Sequence, residues 1–403
     1  MFALTAKQVV DGTGTVIPNG IVLVDGGRIS AVGVLGEVSV PSGTEVIDCG
    51  TDSVLPGLVD SHVHLALNTT KAMSVIEQHT APLPLMAIRA VSAIQKDIRA
   101  GVTTMRALGE PHHLDLVVRD AVNDGELPGP RILACGHAIR PSHGTAFGTA
   151  IPADGPDEVR RVVRQAIALG ADVIKLFVSN ISRGQTPLAY RQGDLTRVPA
   201  FSKPEIEAAV NEAHTSGLRV AAHAIGGPAL RWALEAGVDS IEHANLMDEA
   251  DIELFLEKGA WLSDPNLQLF FDDETGFKAP AKSAIATPDW LRKVEESAEV
   301  TRRVHRLAIE AGVKYSLATD SNRGLLWKEA KHMVEVLGCD TMAAIVSITK
   351  THAELLGLGD EIGTIAEGKR ADLIVVKGNP LEDITNLRNI STVYKDGLAY
   401  QGI

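Results

Sequence analysis

The sequence predicts an α/β fold: a (β/α)8 TIM barrel with a small β-sandwich domain formed from both chain ends. Three observations predict it. The middle of the chain alternates short apolar runs with helical stretches about eight times. Both ends are β-branched and turn-rich, with no helical period. No glycine-rich phosphate turn follows the first strand of the middle region, as a doubly wound sheet would usually show. With 403 residues, 45% of them hydrophobic, the chain can bury one large core and a smaller one.

The expected boundaries are 1–56 and 357–403 for the two parts of the small β domain, and 57–356 for the barrel. In the first part, Ile21-Val22-Leu23-Val24 and Glu45-Val46-Ile47 read as strands, punctuated by Asp11-Gly12 and Asp25-Gly26-Gly27. In the last, Leu373-Ile374-Val375-Val376 and Thr392-Val393-Tyr394 do the same, and Lys395-Asp396-Gly397 reads as a hairpin turn. The middle offers strands at 57–65, 102–108, 131–138, 172–178, 219–224, 240–245, 260–265 and 314–320. Helical spacing marks 84–99, 156–169, 203–216, 248–258 and 289–311. The helix at 203–216 has a start signal, with Ser202 as N-cap, Pro204 early and Glu205 three residues on. Longer connections at 66–83, 179–202 and 266–288 are expected on the face where barrel loops build sites. The last carries Phe270, Phe271 and Phe277.

A net charge of −13 argues against a nucleic-acid partner, which would want clustered Lys and Arg. No apolar run approaches the roughly 18 residues needed to span a bilayer, so no membrane association is expected. The first residues lack a basic segment followed by an apolar one, so no signal peptide is expected. Cys49, Cys135 and Cys339 are odd in number and form no C-x-x-C pair, which fits a reducing cytoplasm.

Chemistry enters with His62-Val63-His64. Residues two apart on a strand face the same side, so both imidazoles point into the mouth at the end of the first strand. Two convergent imidazoles suit a borderline metal such as zinc. The pair alone is a weak signal, equally readable as two satisfied histidines closing a strand. Its weight comes from further residues. Lys175 stands in Asp172-Val173-Ile174-Lys175-Leu176-Phe177, where an ammonium ion is costly to bury. Carbamylation by carbon dioxide would convert it into a metal-bridging carboxylate; a snorkelling strand-end lysine is the plain alternative. His223, His243 and Asp320 close Val220-Ala221-Ala222-His223, Ser240-Ile241-Glu242-His243 and Leu317-Ala318-Thr319-Asp320. Ligand-type groups thus end five predicted strands at one end of the barrel.

These residues resemble the amidohydrolase superfamily, and within it the imidazolonepropionase-like and prolidase-like group. Pro56-Gly57-Leu58-Val59-Asp60-Ser61-His62-Val63-His64 is similar to its first-strand motif. Ala221-Ala222-His223-Ala224, Ala236-Gly237-Val238-Asp239-Ser240-Ile241-Glu242-His243 and Ala318-Thr319-Asp320 are similar to the fifth, sixth and eighth strands. The run Ile362-Gly363-Thr364-Ile365-Ala366-Glu367-Gly368-Lys369-Arg370-Ala371-Asp372-Leu373 resembles the return into the small domain. The resemblance spans essentially the whole chain.

It implies two divalent metal ions, zinc by default, with manganese or cobalt fitting the same ligands. His62 and His64 would hold the more buried ion with Asp320, and His223 and His243 the more exposed one. Lys175, as N6-carboxylysine, would bridge them together with a hydroxide. Asp320 would also be catalytic, taking a proton from the hydroxide and passing it to the leaving amine. The implied reaction is hydrolysis of an amide bond in an N-acyl amino acid, a dipeptide-like substrate, or an amide or carbamate xenobiotic. A mononuclear deaminase or cyclic-amide hydrolase is the alternative within the superfamily; such members generally lack the strand-four lysine. A non-catalytic barrel is the alternative outside it, and the filled ligand positions argue against that.

Prolidase-like relatives carry a Gly-Gly-His-Gly run near Ser142-His143-Gly144, so His143 is the expected donor to the substrate carbonyl, with one glycine replaced. His137 is the second choice. Arg140, Arg183 and Arg323 fall on active-site loops and could pair with a substrate carboxylate, although surface positions are the plainer reading. The expected partner is a small-molecule substrate, and a homo-oligomer is compatible with the sequence.

Overall fold

The computed structural model describes residues 1–67, 77–78, 80–182, 195–264, 288–320 and 322–400. Much of the three expected long loops lies outside the described residues, and so does Arg183.

Both chain ends join in one eight-stranded sheet. It takes β1 (Phe2–Val10), β2 (Val16–Asp25), β3 (Arg28–Val34), β4 (Glu45–Asp48) and β5 (Ser53–Pro56) from the first, and β16 (Leu373–Val376), β17 (Ile390–Lys395) and β18 (Leu398–Tyr400) from the second. The order is β18-β17-β16-β5-β1-β2-β3, with β4 beside β1. Alternation sends Leu4, Val9, Val22, Val24, Leu373 and Val375 into one apolar cluster, while Ala3, Ile21 and Leu23 pack separately.

The middle is α/β with parallel strands. β6 (Leu58–Val63), β7 (Val102–Ala107) and β8 (Arg131–Ala134) form one sheet. β9 (Ala138–Arg140), β10 (Ala150–Pro152), β11 (Val173–Phe177), β12 (Arg219–Ala224), β13 (Ser240–His243), β14 (Trp261–Asp264) and β15 (Lys314–Leu317) form another, ordered β10-β9-β11-β12-β13-β14-β15. Backbone hydrogen bonds link the two sheets at two places, one beside β8 at the start of β11 and one beside β6 after β15. After β8, Asp172 donates its N–H to the Ala134 carbonyl at 2.7 Å. After β15, Val63 and Asp320 form a parallel bridge, with His64 N–H on the Asp320 carbonyl at 2.7 Å and Asp320 N–H on the His62 carbonyl at 2.8 Å. Hydroxyls of Ser61, Ser263 and Ser316, from β6, β14 and β15, meet at 3.3 and 3.4 Å in the buried interior. Arg106 of β7 reaches Ser240 and Glu242 of β13, a strand that is not its sheet neighbour.

Helices join most of the parallel strands: α1 (Leu83–Arg99), α2 (Leu114–Asn123), α3 (Pro156–Ala168), α4 (Lys203–Thr215), α5 (Pro228–Ala236), α6 (Asp251–Lys258), α7 (Pro288–Glu310) and α8 (Leu326–Glu335). α4 starts with the expected capping box: Ser202 N–H donates to the Glu205 carboxylate at 2.8 Å and the Ser202 hydroxyl at 2.6 Å. Gly57 has a steric reason. A Cβ there would sit 2.2 Å from the Thr103 hydroxyl, so β6 can start against β7 only with no side chain. No helix among the described residues is long and apolar enough to cross a membrane.

Candidate active site

The ends of β6, β11, β12, β13 and β15 converge on one buried cluster. Ligand atoms of His62, His243 and Asp320 all lie within 4.8 Å of one another. Oδ1 of Asp320 is 3.4 Å from Nε2 of His64 and 3.8 Å from Nε2 of His62. The ring centroids of His62 lie 5.4 Å from those of both His64 and His243, and His223 lies 4.7 Å from His243. Phe177, the last residue of β11, stacks on His223 at 4.8 Å, and Nδ2 of Asn180 lies 3.2 Å from its Nε2. Lys175 projects among these groups, with Nζ 5.3 Å from the Phe177 ring centroid.

Neighbouring acceptors orient the histidines. Nδ1 of His64 donates to the Gly109 carbonyl at 2.8 Å, which leaves Nε2 for the cluster. Nδ1 of His62 lies 2.9 Å from Oε2 of Glu242. The other Glu242 oxygen accepts from Arg106 at 2.9 Å and from the Ser240 hydroxyl at 2.6 Å. Burial works against ionising Glu242, yet Arg106, the His62 contact and Lys175 hold its carboxyl well below the usual range. Asp60 ties β6 to the segment after β15 by accepting the Thr319 hydroxyl at 2.5 Å.

The electrostatics favour neutral nitrogen donors. Burial, then Lys175, holds the His62 imidazole below its ordinary value. Burial, with Lys175 and His62, does so strongly for His223; burial, then His223 and His62, does so for His243. Burial pushes the Lys175 amine from 10.5 down to about 8, opposed by Glu242. Burial raises the Asp320 carboxyl, opposed by His62, Lys175 and Arg323. His243 (φ 79°) and Asp320 (φ 56°) adopt left-handed backbone, as does Ala244 (φ 48°). Non-glycine residues reach that region only when their surroundings enforce it.

These atoms fit divalent cations. The donors are imidazole and carboxylate, the set preferred by zinc and its neighbours. Nδ1 of His243 and Nζ of Lys175 are buried with no hydrogen-bond partner among the described residues.

The residues expected around the substrate are dispersed. His143 is exposed in the turn after β9, its carbonyl accepting from Ser182 N–H at 2.8 Å. His137 is partly buried, edge-on to His113 with centroids 4.2 Å apart, and burial lowers its pKa to about 4. Arg140 is buried over the Phe147 ring at 4.4 Å and donates through Nη1 to the carbonyls of Pro141, Ser142 and Gly144. Arg323 pairs with Asp97 at 3.0 Å and donates to the His64 carbonyl. Its guanidinium therefore braces the end of β6. Sequence reasoning missed Glu242 and Arg106. A charged residue on an otherwise apolar strand was their available signal, the same one that singled out Lys175.

Residues 53–399 match the amidohydrolase family. An ochratoxinase of Aspergillus niger is 28% identical over 385 residues, spanning 87% of this chain and 76% of that protein. An imidazolonepropionase of Agrobacterium fabrum is 23% identical over 400 residues, spanning 92% of this chain and 87% of that protein. A crystallised Xaa-Pro dipeptidase with methionine in its active site superposes with a TM-score of 0.84 at 33% identity, over 100% of both chains. The chain belongs to the amidohydrolase family and is a hydrolase of carbon–nitrogen bonds.

Proposed function

We propose that the chain is a binuclear metal-dependent amidohydrolase. His62, His64 and Asp320 would hold the more buried cation and His223 and His243 the more exposed one, with Lys175, carboxylated on Nζ, as the shared ligand. The observation that carries this is Lys175: an amine buried within electrostatic reach of the His62, His223 and His243 imidazoles, with Nζ unpartnered among the described residues and its pKa depressed to about 8. A neutral amine is the form that adds carbon dioxide, and the resulting carboxylate would relieve an otherwise costly burial. The backbone links between the two parallel sheets support a closed (β/α)8 barrel over 57–356. The one eight-stranded sheet shared by the chain ends supports a small β domain built from 1–56 and 357–403, which would have to fold over on itself to make a sandwich.

When bound, two divalent ions, zinc by default, supply an ionised water and polarise a substrate carbonyl. Every other step falls to the chain. Asp320 takes the proton from the attacking water and delivers it to the leaving nitrogen. Gly109 fixes the tautomer of His64, and the Glu242 carboxylate, 2.9 Å from Nδ1 of His62, favours a proton on that nitrogen. His143, with His137 as second choice, donates to the substrate carbonyl.

An N-acyl amino acid or dipeptide-like substrate suits the resemblance to the Xaa-Pro dipeptidase. Arg140 supports it: its guanidinium is buried and hydrogen-bonds to carbonyls, with Asp154 acting on it only through space. Amide or carbamate xenobiotics are a variant of the same chemistry. The test is metal analysis of the purified protein, followed by hydrolysis assays on N-acyl amino acids, dipeptides and aryl amides. About two ions per chain and turnover of a carboxylate-bearing amide are expected. One ion, unaffected by Lys175→Ala, would instead favour the mononuclear deaminase or cyclic-amide reading.

A further inference from the structure

The turn after β13 runs through two left-handed non-glycine residues, His243 and Ala244. Such a turn tends to relax towards ordinary backbone unless something holds it. Relaxation at His243 would swing its Cα–Cβ bond and carry the imidazole away from His62 and Asp320. The restraint comes from α7, which is not adjacent in sequence. Thr301 and His305 stand one turn apart on its buried face. The Thr301 hydroxyl donates to the Asn245 carbonyl at 2.9 Å, sharing its proton with the Ser297 carbonyl at 2.7 Å. Nε2 of His305 faces the Ala244 carbonyl at 3.4 Å.

His305 is itself fixed from behind. Its Nδ1 lies 2.8 Å from Oδ2 of Asp264, the last residue of β14, and that oxygen also accepts the Tyr315 hydroxyl at 2.7 Å. Thr301, His305, Asp264 and Tyr315 are all buried. So much polar chemistry in a dry interior is costly unless it specifies something. The reaction outlined above uses none of these four residues.

We propose that Thr301 and His305, braced by Asp264, are positioning residues that hold the left-handed His243–Ala244 turn and so aim His243 at the more exposed metal ion. The inference rests on the two-ion reading. It requires their removal to weaken one ion selectively while leaving the ligands themselves intact.

The experiment uses the full chain loaded with zinc, with both dissociation constants measured by chelator competition. Melting of the metal-free protein is followed in parallel. His305→Phe fills the space but removes both ring nitrogens. It is expected to weaken one ion by about 10–100-fold and leave the other near wild type. Thr301→Val, close in shape, is expected to weaken the same ion by roughly 5-fold with little change in metal-free melting. His305→Gln, which keeps one donor, should recover part of the loss. If His305→Phe does not fold, Thr301→Val carries the test. Two ions held at wild-type affinity in the folded variants overturn this inference alone. A wild-type chain that binds a single ion overturns the two-ion reading and this inference with it.

Discussion

Oε2 of Glu242 lies 2.9 Å from Nδ1 of His62, while its other oxygen accepts from Arg106 at 2.9 Å. One buried carboxylate thus sits against the ring of a proposed ligand and neutralises a buried guanidinium. Glu242→Gln keeps the size but must turn an N–H2 towards either Arg106 or His62. The expected outcome is a 10–100-fold loss of affinity for the more buried ion, of the order seen for outer partners of metal ligands. Breaking the Arg106 ion pair adds a stability loss of about 3–5 kcal/mol. Chelator competition and denaturant melts would measure both. Wild-type metal affinity in the Gln variant would remove Glu242 from the site.

Lys175 makes a sharper prediction because its proposed role is supplied by carbon dioxide. Lys175→Ala should lower metal content from about two ions per chain to one or fewer and drop turnover below about 1% of wild type. The space it leaves is flanked by Phe177 and the imidazoles. A short carboxylic acid such as acetate could enter and present two oxygens, so acetate should restore part of both metal content and rate. Restoration by chloride at equal ionic strength would point to a non-specific salt effect.

The pH dependence of stability should carry a signature of Glu110. This residue is fully buried and accepts the backbone N–H groups of Leu65 and Ala66, just past His64. Burial, and then the nearby Asp115, pushes its carboxyl from 4.5 up to about 8. Between those values the native chain keeps a proton that the unfolded chain has lost. Stability from this group therefore falls as pH rises across the window and levels off above it, by a few kcal/mol in all. Glu110→Gln carries no titrating group and should lack that component. Urea titrations of the metal-free wild type and variant would show parallel slopes if the assignment is wrong.

The candidate site was legible because each proposed ligand sits within an apolar strand or close to its C-terminal end, a position that apolar patterning marks in one dimension. The strand reading 219–224 coincides with β12, and β6, β7, β8, β11, β13, β14 and β15 fall inside their expected windows. The supporting shell was not legible. Glu242 was read only as the neighbour of His243, because its partners, Arg106 and His62, come from other strands far away in sequence. The left-handed turns at His243 and Asp320 leave no glycine behind to announce them. The short β9–β10 pair went unforeseen because each strand has only three residues, too few to show a period.

Arg323 decides between its two readings in a single comparison. Position alone made it a candidate for a substrate carboxylate, yet Asp97 of α1 holds its guanidinium at 3.0 Å and Asp97 also accepts from Gly324 N–H at 2.9 Å. The pair therefore pins the loop after Asp320 to the helix after β6, and Arg323 adds the His64 carbonyl. Arg323→Met should lower stability by about 3–5 kcal/mol, since it strands a buried carboxylate. Replacing both partners, as in Asp97→Leu with Arg323→Met, should regain part of that loss because no buried charge is left alone. If bracing is its role, KM for a carboxylate-bearing substrate should stay within about 2-fold of wild type in the double variant, with any change falling on kcat. A KM raised about 100-fold with stability intact would return Arg323 to the substrate.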